Sequence, residues 1–267
     1  MSFIRTILTG FLFLGSIFAA QGQGVQFHAI VPTSDGFLAA GEVLARLDTE
    51  GNVLETVELD TPILSMALFS DRLYVLDTTG RSVWEVNRAG HVVARLDPPV
   101  KGHLTAVSAD EKQLWAVTDV GEILHSSDAL NWSVLDFNEQ YNGFYPQITF
   151  TAIAAGGGSI MVAGLRPDGR PAAYTSGMGN VWSERLLDYT EQGRTSLLEA
   201  EPVSISYDPI QDRFFLACRG GWLLALPGCS HCNSIERYPV ETLYGRAASG
   251  FNALLIGSGG FKEIEKP

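Results

Sequence analysis

Six short apolar segments recur along the chain and constrain its fold more than any other feature. Each begins with a polar residue or glycine, continues through four apolar residues and ends on a small or polar residue, as in RLYVLD at 72–77. The segments span 36–41, 72–77, 113–118, 159–164, 213–218 and 252–257. This pattern is typical of strands buried on both faces. Their starting points lie 36 to 54 residues apart, and such a period, with several strands in each repeat, indicates β-propeller blades rather than helical repeats.

Residues 1–22 have the composition of a secretory signal peptide. They contain one basic residue, Arg5, no acidic residue, and an apolar run at 7–14 that leads to small residues near the expected cleavage point. A membrane anchor is the alternative, although the run is short for a span and polar, glycine-rich sequence follows it. We expect residues 23–267 to form a single β-propeller domain of a secreted or periplasmic protein, with no membrane insertion after cleavage.

The charge of the chain limits its partners. The formal net charge is −12, and loss of Arg5 with the signal peptide makes it one unit more negative. An acidic chain of this kind repels phosphate backbones and anionic lipids, so nucleic acids and membrane surfaces are not expected partners. A protein partner or a glycan remains, and solubility alone also explains the acidity.

The first two repeats contain the same hairpin. Turns at 48–51 and 87–90 begin with Asp or Asn and end with Gly, and each lies between two apolar strands. The first residue bonds the turn backbone, and the glycine accepts the positive φ that closes the hairpin. These repeats resemble the blades of NHL-like or YVTN-like propellers. We therefore predict an all-β propeller, most simply of six blades with about four antiparallel strands each, with seven or five blades as the alternatives.

The third and fourth repeats carry a different hairpin. The stretch SSDALNW at 126–132 resembles the Asp-box (BNR) repeat of sialidase-like and photosystem-assembly-like propellers, with alanine in place of the usual glycine. The stretch TSGMGNVW at 175–182 resembles the longer form of this box, with Gly177 in place of the aspartate. The resemblance implies that Asp128 caps backbone amides and that Trp132 packs between blades. Both roles serve folding rather than catalysis.

Two connections between repeats, 137–146 and 189–201, are longer than the others and are predicted to lie on one face at adjacent blades. Long ordered loops often carry function. The candidate binding residues in them are Tyr141, Phe144, Tyr145, Tyr189 and Arg194. Aromatic side chains suit stacking on a sugar ring or holding a peptide. The alternative is that they only pack the loop against the domain.

The three cysteines belong to the fifth repeat. Cys218 lies in the apolar segment, where we expect a buried, inert thiol in a position that needs a small side chain near the propeller axis. Cys229 and Cys232 lie in the outer hairpin and, in an exported protein, are expected to form a disulfide. A redox pair, a metal site or a free pair are the alternatives. Redox activity favours a helix N-terminus, which the preceding strand-like sequence does not predict, and the histidines are scattered among different repeats.

No catalytic, metal-binding or cofactor-binding motif is apparent. Sialidase chemistry requires three arginines, a Tyr/Glu pair, an acidic Asp and an Arg-Ile-Pro signature near the N-terminus, and no such signature follows Gln23. We expect an exported, non-enzymatic binding or assembly module that acts through its loop-bearing face. A carbohydrate-binding or carbohydrate-active, sialidase-like propeller is the alternative. The sixth repeat has room for three strands, so the N-terminus, a three-stranded last blade or a partner chain must complete the ring.

Overall fold

The computed structural model of the chain describes residues 26–59, 61–87, 90–191, 194–227, 236–239, 243–248, 253–257 and 260–264. Within these ranges almost every regular element is a short strand, and each strand pairs antiparallel with its neighbour in the sequence. The described helix has four residues, and none in these ranges is long and apolar enough to cross a membrane. The signal peptide predicted at 1–22 lies outside the described residues.

Five sheets have four strands each and are called blades 1 to 5. Blade 1 contains β1 (Phe27–Thr33), β2 (Gly36–Gly41), β3 (Val43–Leu47) and β4 (Val53–Glu58), and blade 2 contains β5 (Ile63–Phe69), β6 (Arg72–Asp77), β7 (Val83–Val86) and β8 (Val92–Leu96). Blade 3 contains β9 (Leu104–Ala109), β10 (Leu114–Thr118), β11 (Glu122–Ser126) and β12 (Ser133–Asp136), and helix α1 (Phe137–Gln140) follows it. Blade 4 contains β13 (Thr149–Gly156), β14 (Ser159–Leu165), β15 (Pro171–Ser176) and β16 (Ser183–Arg185).

The remaining strands form a hairpin, blade 5 and a smaller sheet. The hairpin pairs β17 (Asp188–Glu191) with β18 (Arg194–Leu197). Blade 5 contains β19 (Pro202–Asp208), β20 (Arg213–Cys218), β21 (Trp222–Pro227) and β22 (Glu236–Pro239). The described part of the last sheet, called the three-stranded sheet, contains β23 (Leu243–Ala248), β24 (Ala253–Gly257) and β25 (Gly260–Ile264).

The first strands of the sheets form a closed ring. Each contacts the first strand of the next sheet, and β23 contacts both β19 and β1. This arrangement is a β-propeller, as predicted. The prediction of six four-stranded blades is wrong: the described part of the chain contains five. The three-stranded sheet, in which β25 is the one described strand after β24, takes the remaining place in the ring.

The six apolar segments are the second strands of the sheets: β2, β6, β10, β14, β20 and β24. Leu73, Tyr74, Val75 and Leu76 of β6 are all buried, since both faces of a second strand lie against neighbouring sheets. Apolar clusters fill the spaces between adjacent sheets. One of them joins Ala247, Leu254 and Ile256 of the three-stranded sheet to blade 1 and so closes the ring through apolar contact.

Each first strand contains an extra residue opposite the end of the second strand. The register shifts between Phe27 and Ala29 in blade 1, and at the matching place in the other sheets. A Cβ added at Gly41 would fall on the carbonyl oxygen of Gln26, just before β1, and one added at Gly164 would fall on that of Thr149 in β13. Close approach of this backbone explains the glycines at 41 and 164. It replaces, for these two residues, the explanation from crowding at the axis.

Cys218 occupies the same position in blade 5, where it pairs with Pro202. It is fully buried, and burial raises the pKa of its thiol to about 12. This agrees with the expected inert thiol. Cys229 and Cys232 lie outside the described residues, so their disulfide stays a prediction.

Candidate functional site

The connection between blades 3 and 4, residues 137–148, begins with helix α1. Asp136 caps the helix by accepting the backbone N–H of Glu139 at 2.9 Å. The Lys101 ammonium donates to the same carboxylate at 2.7 Å, and this hydrogen bond, helped by the one from Glu139, lowers the pKa of Asp136. Phe137, the first helical residue, is fully buried. The loop is therefore fixed at its start by a cap and by a buried aromatic side chain.

Phe137 lies at the centre of an aromatic cluster that fixes the rest of the loop. Its ring stacks on Tyr145 at 6.0 Å between centroids and contacts Tyr141 at 4.8 Å and Tyr174 of blade 4 at 4.7 Å. The backbone N–H of Trp182 donates to the Tyr141 hydroxyl at 3.0 Å, and the Tyr145 hydroxyl donates to the Trp182 carbonyl at 3.3 Å. Both tyrosines therefore join the loop to blade 4.

Three predicted binding residues lie in this loop, but they have different environments. Tyr141 and Tyr145 are half-buried in the cluster, which agrees with the alternative that loop aromatics pack the loop down. Phe144 is 84% exposed at the tip of a tight turn, where the Tyr141 carbonyl accepts the N–H groups of Phe144 and Tyr145 at 2.9 and 3.1 Å. Of the three, Phe144 alone is presented to solvent.

The other two predicted residues, Tyr189 and Arg194, lie in the hairpin β17–β18. In its register Tyr189 pairs with Ser196, and Glu191 pairs with Arg194. The side chains of Tyr189 and Arg194 are outside the described part of the chain. A backbone hydrogen bond from Leu198 to Leu187 closes the base of the hairpin at 2.8 Å. No hydrogen bond or ring contact in the described ranges joins this hairpin to the 137–148 loop.

A groove of 570 Å³ lies beside helix α1 on the blade 3 to blade 4 boundary. Asp119, Asp136 and Glu139 line it together with the amide side chains of Asn138 and other loop residues. Asn138 is a structural residue, because its amide donates to the Val120 and Ile148 carbonyls and accepts the Ile148 N–H. The three carboxylates make the groove acidic, and the Asn138 amide, which forms part of its lining, is fixed by these hydrogen bonds.

A cavity of 730 Å³ is the central channel of the ring, which sequence reasoning did not identify. Residues of the first strands line it. Thr105 and Thr151 donate their hydroxyl hydrogens to the carbonyls of Phe150 and Pro202 in the next first strand, at 2.8 and 2.7 Å. Hydroxyl residues at matching positions of repeats 3 and 4 were the sequence signal for this arrangement. These hydroxyls join neighbouring blades.

The channel opens among the turns that join first and second strands. Asp71, Asp110 and Glu111 belong to those turns and line its mouth. Asp110 also caps its own turn by accepting the backbone N–H groups of Lys112 and Gln113 at 2.7 and 2.8 Å. The lining includes no described residue of the 137–148 loop or of β17–β18.

Arg246 is the exceptional residue of the channel wall. It pairs with Leu255 of β24, and the residues at the matching position of the first strands in blades 1 to 5 are Ile30, Met66, Val107, Ile153 and Ile205. Its guanidinium carbon lies 3.5 Å from the centroid of the Phe215 ring, and Nη2 lies 3.5 Å from Asp208 Oδ2. Both charged side chains are buried. A buried ion pair thus joins blade 5 to the three-stranded sheet.

The hairpin residues Asp128 and Trp132 have the folding roles expected of them. Asp128 Oδ1 accepts the N–H groups of Leu130 and Asn131 at 2.9 and 2.7 Å, and these bonds, the one from Asn131 above all, hold the pKa of Asp128 well below its usual range. Trp132 donates its indole N–H to the Ala129 carbonyl at 3.2 Å. No group of three or more His, Cys, Asp or Glu residues suited to a metal ion occurs in the described ranges.

No protein-family model matches this chain, and no curated protein matches it. Solved structures do. Virginiamycin B lyase from Staphylococcus aureus superposes with a TM-score of 0.61 at 12% identity, over 89% of this chain and 79% of that chain. A chain of the nidogen/laminin complex gives 0.60 at 15% identity, over 82% and 84%, and the RRP9 WD40 repeats give 0.59 at 12% identity, over 88% and 88%. At such identities the similarity establishes the β-propeller fold, and it extends over most of the chain.

Proposed function

We propose that this chain is an exported, non-enzymatic β-propeller that binds a protein partner through the surface around Phe144. In this proposal residues 1–22 are the signal peptide, and residues 23–267 are the propeller of a secreted or periplasmic protein. Blades 3 and 4 carry hairpins of the Asp-box type, which shape the domain and take no part in chemistry. The nidogen/laminin complex is one case of a similar fold solved with a protein partner.

The exposure of Phe144 on a fixed loop is the observation that supports this proposal. Its side chain is 84% exposed, whereas Phe137 below it is fully buried. Exposing a large aromatic ring to water is unfavourable, and the turn that carries it is fixed by backbone hydrogen bonds. An aromatic side chain carried by a fixed turn loses less entropy on binding than one on a mobile segment, which is the property of an interface anchor.

The carbohydrate alternative has no described contact in its favour. The rings of Tyr141 and Tyr145 pack on Phe137, and their hydroxyls bond the backbone of blade 4. Neither tyrosine therefore offers a free ring face and a free hydroxyl together, as a sugar platform requires.

Site-specific photo-crosslinking in the native host tests the proposal. A benzophenone amino acid replaces Phe144, and in a matched control it replaces Val93 on the outer strand β8, whose side chain is 60% exposed. We expect a discrete protein adduct from position 144 and none from position 93. Binding of the identified protein to the purified 23–267 chain should then weaken about 30-fold or more with Phe144→Ala, as for an interface anchor, and remain unchanged with Val93→Ala. Equal crosslinking at both positions, or full affinity of Phe144→Ala, would refute the proposal.

A further inference from the structure

Two more large apolar side chains are exposed in a turn that hydrogen-bonds to the loop carrying Phe144. Met178 is 81% exposed and Val181 is 69% exposed, both in the turn between β15 and β16. With Phe144 they are among the most exposed large apolar side chains of the described chain. Sequence reasoning assigned this turn to the fold alone and did not include it in a binding surface.

Hydrogen bonds from two tyrosines join the loop that carries Phe144 to this turn. The Tyr141 hydroxyl donates to the Asn180 carbonyl at 3.5 Å and accepts the Trp182 N–H at 3.0 Å, while the Tyr145 hydroxyl reaches the Trp182 carbonyl. Phe144 lies between the two tyrosines in sequence, and Val181 lies between the two residues that they contact. We call the surface formed by Phe144, Met178 and Val181 the apolar patch.

The folding of the turn does not use the exposed apolar side chains. Ser176 Oγ accepts the backbone N–H groups of Met178 and Gly179 at 3.4 and 2.8 Å. The Trp182 indole donates to the Gly179 carbonyl at 3.1 Å, and Gly179 supplies the left-handed φ of +77°. Each of these interactions is independent of the side chain at 178 or 181.

The matching turn of blade 3 shows that polar residues are compatible with this geometry. Ala129 has the left-handed φ of +61° there, and Trp132 makes the corresponding indole hydrogen bond. With these two residues aligned on Gly179 and Trp182, Met178, rather than the Gly177 expected from the sequence, corresponds to Asp128, and Val181 corresponds to Asn131. Blade 4 therefore has two apolar side chains where blade 3 has polar ones. Their exposure to water is unfavourable, and a bound partner that covered them would remove this cost.

The charges beside the apolar patch are acidic. The loop and the turn contain one charged residue, Glu139, and neither contains Lys or Arg. The groove beside helix α1 adds Asp136, which pairs with the Lys101 ammonium, and Asp119, which lies 3.3 Å from His103 Nδ1, so Lys101 offsets part of the negative charge of the groove. Since the whole chain has a net charge of −12, two copies repel each other, whereas a basic partner is attracted.

We infer that the apolar patch and the acidic groove together bind a protein segment that presents an apolar side chain next to Lys or Arg. The apolar side chain covers Phe144, Met178 and Val181, and the basic side chain enters the groove beside Glu139. This inference rests on the proposed function, because it identifies the chemistry of the partner at the same surface. It adds the blade 4 turn and the groove to that surface.

The test introduces the blade 3 residues into the blade 4 turn. In the double variant Met178→Asp/Val181→Asn the turn should keep its geometry. The melting temperature of the variant should therefore stay close to that of the unchanged chain. The probe is a synthetic peptide array in which Leu or Phe is adjacent to Lys or Arg, with a second array in which Glu replaces the basic residue. Leu130→Asn, a substitution of a 72% exposed residue in the blade 3 turn, is the matched control.

We expect the 23–267 chain to bind the basic array and not the acidic one, and the double variant to bind about tenfold or more weakly while Leu130→Asn binds normally. Binding should also weaken between about 50 and about 300 mM NaCl, because screening acts on the basic contact. Loss of binding in Phe144→Ala but not in the double variant would overturn this inference and leave the proposed function intact. Full binding in both variants would overturn both, and so would a concentration-dependent dimer of the chain that the double variant abolishes.

Discussion

Replacement of Arg246 by methionine should be among the most destabilising single substitutions in this protein. Methionine is the residue at the matching position of blade 2, Met66, where it is 4% exposed, so the new side chain suits the site. The cost comes from Asp208. Its carboxylate is fully buried, and among the hydrogen bonds described for it the backbone donors of Ile210 and Gln211, at 3.0 and 3.4 Å, would remain.

Removal of one partner of a buried ion pair costs about 3–5 kcal/mol, because an uncompensated charge stays in the interior. For a chain of this length about 1 kcal/mol corresponds to roughly 2–4 °C in melting temperature, so Arg246→Met should lower it by roughly 6–20 °C. The double variant Arg246→Met/Asp208→Asn removes both charges and keeps an oxygen acceptor for the turn. The free energy of unfolding of this double variant should lie within about 1 kcal/mol of the value for the unchanged chain, or exceed that value by up to about 4 kcal/mol.

Urea unfolding of the 23–267 chain, followed by circular dichroism and tryptophan fluorescence, measures these free energies. Asp208→Asn alone completes a double-mutant cycle and gives the coupling energy of the pair. An Arg246→Met variant within about 1 kcal/mol of the unchanged chain would show that the ion pair does not stabilise the boundary between blade 5 and the three-stranded sheet. A double variant as unstable as Arg246→Met would place the cost in lost packing rather than in the buried carboxylate.

Three further predictions follow from the described contacts. Gly164→Ala should destabilise by about 1–3 kcal/mol or more in urea unfolding, because the added methyl group meets a backbone carbonyl of the bulged strand. Asp128→Asn should lower the melting temperature at neutral pH, and the difference should shrink as pH falls below about 4, since the lowered pKa of Asp128 contributes stability above the unfolded pKa that is lost on protonation; an undiminished difference at about pH 2 would contradict this. Under native conditions without reductant, maleimide should label none of the three thiols: burial raises the pKa of Cys218 to about 12, and Cys229 and Cys232 are predicted to be paired. After reduction two thiols should become labelled, and after denaturation the third should be labelled as well. Ready labelling of the untreated chain would refute the disulfide.

The second strands could be predicted almost to the residue. The segments at 36–41, 72–77 and 213–218 coincide with β2, β6 and β20, and the other three differ by one residue at one end. A strand buried on both faces needs a continuous apolar run with polar or small ends, and this pattern is visible in the sequence. The hairpin residue Asp128 was equally predictable, because its hydrogen bonds reach two and three residues along the chain.

The candidate site was predictable only in part. The 137–146 loop was identified by its length and aromatic content, yet the sequence could not distinguish Tyr141 and Tyr145, which pack against blade 4, from Phe144, which is exposed. The contact between the Tyr141 hydroxyl and Trp182 spans 41 residues. A local pattern contains no information about a partner that distant, so the burial of each aromatic residue depended on how blade 4 packs against the loop.

The sequence by itself determined the repeat, the propeller fold, the second strands and the hairpin turns, because each follows from the local order of apolar, polar and turn-forming residues. The tertiary structure decided what depends on neighbours far apart in the chain: the five four-stranded blades with a three-stranded sheet in the last place, the central channel, and the burial of Arg246 against Phe215 and Asp208. It also joined the loop that carries Phe144 to the turn that carries Met178 and Val181. Closing the ring packs the face of every blade against a blade from another repeat, and only that packing separates the side chains that build the interior from those left for a partner.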